Sequence, residues 1–204
     1  MSLEPSLIEH CAPTLASLKI GSLFSFISPC WQSLFIEAAE LNALMREKGL
    51  SLRIVRADDD RALCYLYRED GLVNMLSDRD AATFLRNQGY ESLYLPDALD
   101  TLCERMACSS SFPHEVGVFL GYPISDVLAF IEHKGRDCSC CGCWKAYGDA
   151  CAARRLFEKY DKCTRVYRRL YRAGRTLSQL TVGGQSPSFP KGLCPPATNR
   201  YEIS

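Results

Sequence analysis

Long apolar runs are missing from this 204-residue chain: no stretch of roughly eighteen apolar residues occurs, so a membrane-spanning helix is not expected. The first ten residues hold no basic side chain and no apolar run, only the acidic Glu4 and Glu9, so they do not read as a secretory signal. The expected location is therefore cytoplasmic, with no membrane partner. Net charge is missing as well, 24 basic side chains balancing 24 acidic ones, which makes nucleic acid an unlikely partner on composition alone. No internal repeat is visible. Histidine is scarce, at three residues, so each histidine is a marked position.

What the chain has in abundance is cysteine. Six of its twelve cysteines crowd into Cys138, Cys140, Cys141, Cys143, Cys151 and Cys163. With no export signal expected, these thiols are expected to be mostly reduced, leaving metal ligation, thiol chemistry or plain apolar packing as their roles. Cys30, Cys64, Cys103 and Cys108 fall on apolar phases and are expected in the core. At 47% hydrophobic, a chain of this length can bury one sizeable core. Residues 1–182 are therefore expected to form a single globular domain, and 183–204, rich in proline and glycine, a flexible tail.

Periodicity and caps give the elements. Pro13 suits a first helical position, which predicts a helix over 12–19 with Cys11 at its N-terminus. Residues 22–27 read as a strand, and 31–48 as a helix with Leu34, Phe35, Ala38, Leu41 and Met45 on one stripe, stopped by Gly49. The segments 50–56 and 62–68 alternate around Asp58-Asp59-Asp60 and read as a hairpin. Ser77 and Asp80 form a capping box for a helix to Gln88, and Pro96 opens another through Met106. Residues 114–120 fit a short buried strand, although seven residues do not exclude a helix. Pro123 begins a helix through His133, 143–147 is a candidate last strand, and Asp149 caps an apolar series reaching Gly174 as one helix or two broken near Asp161. The expected fold is a single α+β domain with a small, mostly antiparallel sheet, several packed helices and a long basic C-terminal helix.

Charge is unevenly spread. Residues 1–150 carry 13 basic and 21 acidic side chains, and 151–204 carry 11 basic and 3 acidic. Between Arg154 and Arg175 lie nine basic residues interleaved with Tyr160, Tyr167 and Tyr171. Such a face could grip phosphates and stack bases, or suit an acidic protein partner; with no net charge, packing against the domain's own acidic remainder or a plain solvated face is the expectation.

Two chemistries are candidates. A thiol at a helix N-terminus is favoured as thiolate by the macrodipole, so Cys11 could be a nucleophile with His114 as general base and Glu115 orienting the imidazole. The reaction would be hydrolysis or transfer at an amide or thioester. The run Cys138-Ser139-Cys140-Cys141-Gly142-Cys143 instead offers overlapping pairs for zinc or iron, completed by Cys151, Cys163, His133, or His10 and Cys11. His133 otherwise reads as a cation at a helix C-terminus.

The segment His114 to Gly121 resembles the His-Val-Gly-Ile-Tyr-Leu-Gly strand of NlpC/P60 papain-like cysteine peptidases. That resemblance implies a catalytic histidine at His114 and a nucleophilic cysteine opening an earlier helix. A Glu follows the histidine here, and the Asp-Cys-Ser-Gly signature is absent around Cys11. A wider resemblance rests on His10 to Ala16, Phe112 to Pro123 with Asp126-Val127, Trp144-Lys145-Ala146-Tyr147, and Phe157 to Cys163. These segments resemble the bacterial family DUF3793 through about Val182, with Ala146 where a valine is usual. It implies a cysteine-rich cytosolic protein of anaerobic Gram-positive bacteria, and no established activity or cofactor.

Overall fold

The unbroken apolar run over residues 62–67 is the key to the architecture, because successive side chains of a strand point to opposite faces and the run gives one strand two apolar faces. The computed structural model describes residues 2–28, 30–58, 60–108 and 112–183. In it β3 (Arg61–Arg68) is the centre of a three-stranded antiparallel sheet, flanked by β1 (Gly21–Ile27) and β2 (Leu50–Asp58). Ala62, Cys64 and Leu66 point to one core, and Leu63, Tyr65 and Tyr67 to another. Both faces must therefore be covered, and helices cover them.

The first face is covered by α1 (Leu3–Leu15), α2 (Trp31–Met45), which runs on through a short 3-10 turn (Arg46–Lys48), and α9 (Leu177–Leu180). Over α1 lies α8 (Ala150–Arg172), a single uninterrupted helix capped by the Asp149 side chain, with Tyr167, Leu170 and Tyr171 against the same core. The second face carries α3 (Glu69–Ser77), α4 (Arg79–Asn87), α5 (Leu95–Cys108), α6 (Val116–Phe119) and α7 (Ile124–Glu132). A two-stranded hairpin, β4 (Cys140–Cys141) with β5 (Lys145–Ala146), sits on a small satellite cluster of Ala146, Ala153 and Phe157. This is a single-domain α+β fold with a small antiparallel sheet. Among the described residues no helix is long and apolar enough to cross a membrane.

Several expectations need correction. The first helix begins at Leu3, where the Ser2 hydroxyl accepts from Glu4 N, and Pro13 lies inside its last turn. Leu3, Leu7, Ile8, Cys11 and Leu15 form one buried stripe, and burying it outweighs the hydrogen bond that proline forfeits. Residues 114–120 form a turn and the short α6 rather than a strand. The helix after Ser77 is capped by Asp78, whose carboxylate accepts from Asp80 N and Ala81 N. Of the four cysteines expected in the core, Cys64 is buried and Cys103 half-buried, but Cys30 and Cys108 are exposed. The expected tail, 183–204, lies outside the described residues except for Gly183.

One side chain ties the first face together. Arg68 ends β3 with only 1% of its surface exposed, donating from Nε to Thr14 O (2.8 Å) and from Nη2 to Leu15 O (2.9 Å) and Val182 O (2.8 Å). A guanidinium thus closes the C-terminus of α1, where the helix dipole is negative and carbonyls lack partners. Burial lowers its pKa from the ordinary value, while the nearby Tyr167 acts the other way.

Candidate functional site

Two glycines and a carboxylate build the main cavity. At Gly117 in α6 a Cβ would lie 2.8 Å from Val127 Cγ2, so the absence of a side chain lets α6 close onto α7. Tyr65 donates its hydroxyl to Phe119 O (2.5 Å), anchoring the end of α6 to the sheet. Asp126 in α7 then gathers the hairpin: Oδ1 accepts from Tyr147 N (2.9 Å) and Gly148 N (3.3 Å), and Oδ2 from Trp144 Nε1 (2.8 Å). With both oxygens accepting from these donors, this buried carboxylate is structural. Trp144 stacks on Tyr122 at 5.0 Å between centroids and meets the edge of Phe157 at 4.6 Å. Gly142, where a Cβ would overlap the Phe157 ring, lets the hairpin lie flat against α8.

Between α6, α7 and the hairpin these contacts leave a cavity of about 470 Å³. Val116, Leu120, Val127, Phe130 and the rings of Tyr122 and Trp144 make its apolar walls, with Phe112 and Pro113 beside them. His114, Cys141 and Lys145 add reactive or charged groups to the lining. His114 is exposed and meets the edge of Phe130 at 5.5 Å. Lys145 donates to Gly135 O (2.6 Å), which holds its ammonium 5.9 Å from the centre of the Phe130 ring.

The expected Cys11 and His114 site is distributed differently. Cys11 lies in the third turn of α1 with no exposed surface, so it has no helix N-terminus and no path to a substrate. Burial pushes its thiol far up from the ordinary 9.0; the Cys64 thiol adds to this, and Lys19 and a hydrogen bond with Ser22 only partly offset it. His114 lines the cavity, while Cys11 belongs to the core on the first face of the sheet. Glu115 is buried and paired with Arg105 of α5, so its carboxylate serves that ion pair rather than an imidazole.

The metal residues are also dispersed. Strand alternation sends Cys140 toward Ala146, Ala153 and Phe157 while Cys141 lines the cavity. Cys143 is exposed as a residue, yet partial burial raises the pKa of its thiol and Asp161 adds to the rise, with Lys19 opposing. Cys138 is half-buried near Tyr147, Cys151 is exposed at the start of α8, and Cys163 sits midway along α8 with its thiol pushed up to about 11 by burial. His10 is exposed and stacks on Phe24 at 5.8 Å, and His133 follows α7 and stacks on Tyr147 at 5.4 Å. Among the described residues no three His, Cys, Asp or Glu side chains converge in a way that could hold zinc or iron. On α8, Arg168 pairs with Glu9 of α1, whereas Arg155, Lys159, Lys162, Arg165 and Arg169 are exposed.

Lys145, Asp126 and Tyr122 were not singled out by their chemistry in the sequence. The signals were the segments Phe112 to Pro123, Asp126-Val127 and Trp144-Lys145-Ala146-Tyr147, which carried a family resemblance but no motif of known mechanism. The fold and this cavity define an α+β domain with an aromatic-walled pocket. A family model described as "Protein of unknown function (DUF3793)" matches residues 7–181, and the chain belongs to that family. No curated protein and no solved structure matches the chain.

Proposed function

We propose that this protein binds a small, mainly apolar molecule with a flat ring, seated in the cavity against Tyr122 and Trp144. The cavity carries this reading: its volume of about 470 Å³ falls within the range of roughly 300–1,000 Å³ typical of small-molecule sites. Its walls are aromatic and aliphatic, with a few polar groups able to set orientation. Lys145 retains N–H donors beyond the one given to Gly135, and His114 is exposed at the cavity lining, so a carboxylate or carbonyl on the ligand would find a partner. Thiol chemistry at Cys11 would require the core to open, and the cysteines proposed for zinc or iron do not gather at one point, so both support binding less well.

Trp144 provides the test. The chain has two tryptophans, and Trp31 packs against the other core, so Trp31→Phe leaves the cavity indole as the sole reporter. Titration of that variant with naphthalene-1-carboxylate is expected to quench Trp144 saturably at one site per chain. A Lys145→Ala change should weaken the same titration by about tenfold, the loss of one charge-assisted hydrogen bond. A linear, non-saturating response overturns the proposal.

A further inference from the structure

We infer that the same cavity accepts acyl groups: Cys141 takes an acyl group from a thioester whose apolar acyl part fills the cavity. This rests on the binding reading above. Three segments bring the needed groups to one cavity. Cys141 on β4 is directly opposite Lys145 on β5 in the antiparallel register, which puts both side chains on one face of the hairpin. Both line the cavity, and His114 lines it from the turn before α6. Cys141 is a free, exposed thiol, whereas its neighbour Cys140 packs into the satellite cluster, so only one of the adjacent pair faces the cavity.

The step balances without an oxidant or other co-reactant. The Cys141 sulfur attacks the thioester carbonyl carbon and forms a new S–C bond as its proton passes to the His114 imidazole. The carbonyl π pair moves to oxygen, where the Lys145 ammonium meets the developing negative charge. When the carbonyl re-forms, the donor's C–S bond breaks, its electron pair leaves with the donor sulfur, and His114 returns the proton to that thiolate. The products are an acylated Cys141 and a free thiol. A thioester is favoured over an amide because its leaving group departs as a thiolate, with no strongly basic amine to protonate. The apolar walls suit an aromatic or short branched acyl group better than a charged one.

The probe is the benzoyl thioester of N-acetylcysteamine, incubated with the full chain under reducing conditions and followed by mass spectrometry of intact protein and peptides. One benzoyl group is expected on Cys141, formed at least about tenfold faster than on Cys151, an exposed thiol outside the cavity. His114→Ala should slow the transfer at least about tenfold, Cys141→Ala should abolish it, and Cys151→Ala should leave it unchanged. Because Cys151 lies outside the cavity, its replacement by alanine should also leave the Trp144 titration saturable. Equal benzoylation of Cys30, Cys141 and Cys151, or an unchanged rate in His114→Ala, overturns acyl transfer. If Trp144 quenching still saturates in those cases, the binding reading stands and only the chemistry falls.

Discussion

Gly142 and Phe157 share a volume that only one side chain can fill: the ring of Phe157 occupies the position where a Cβ on residue 142 would begin. The hairpin carrying Cys141 and Lys145 therefore rests directly on α8, and the cavity wall inherits its position from that contact. Gly142→Ala must push the hairpin or the ring aside, with a cost of about 1–3 kcal/mol for overpacking. Urea unfolding should report that loss, and the naphthalene-1-carboxylate titration should weaken in parallel, because the wall moves with the hairpin.

Asp126 offers a second handle on the same wall. Asp126→Ala leaves Tyr147 N, Gly148 N and Trp144 Nε1 without their acceptor, and partly buried donors lacking partners should destabilise the protein by about 2–3 kcal/mol. Asp126→Asn keeps one acceptor oxygen and should lose less than half as much. Equal stability of wild type and Asp126→Ala in urea would show that solvent replaces these contacts at no penalty.

Arg68→Lys tests the closure of α1. A lysine has a point charge where the guanidinium offers a planar fork, and it cannot reach Thr14 O, Leu15 O and Val182 O together. The expected loss is about 2–3 kcal/mol in chemical denaturation, although charge is conserved. A loss below about 0.5 kcal/mol, the scale of an ordinary surface change, would contradict the closing role.

Alkaline pH should unfold the protein through its thiols. Burial raises Cys64 from an ordinary 9.0 to about 12, so the folded state keeps a proton that the unfolded chain releases. Its contribution is complete below pH 9 and disappears as pH rises from 9 toward 12, at up to about 1.4 kcal/mol per pH unit. Lys19, whose pKa burial lowers, works in the opposite sense and partly masks the trend in wild type. The comparison is therefore of slopes: Cys64→Ala should show a shallower fall in unfolding free energy between pH 9.5 and 11. Parallel slopes would mean that this thiol titrates alike in both states.

Elements with strong local signals were legible in the sequence. The hairpin strands were read from their Leu-, Val- and Tyr-rich segments, Asp149 marked the start of α8, and glycines at 49 and 174 ended helices, each now with a positive φ. The first helix was misjudged because Pro13 was weighed as a start signal, whereas the buried stripe begun at Leu3 decides the helix. Residues 114–120 were misjudged because a short apolar run has no distinguishing period, and Gly117 is needed there for close approach to Val127 rather than for a strand. The candidate site was legible only at His114 and Cys141. Lys145 and Asp126 join it through register and tertiary contact, which no local pattern encodes. Cys11 was misplaced along with the first helix: its chemistry was read from a cap that the fold puts nine residues earlier, at Ser2.

The links from Arg68 to Thr14, Leu15 and Val182, together with Val182 N donating to Leu15 O (2.9 Å), join the C-terminus of α1 to the last described residues at one point. Translation delivers those partners far apart in time. While the ribosome is still making α8, the first helix has its apolar stripe and the sheet it rests on, but neither the helix that lies over it nor the strand of backbone that closes its end. The nascent chain must then hold Leu3, Leu7 and Leu15 in an unfinished core until residue 182 clears the exit tunnel, and a chain cut short before that residue would carry an open seam along α1.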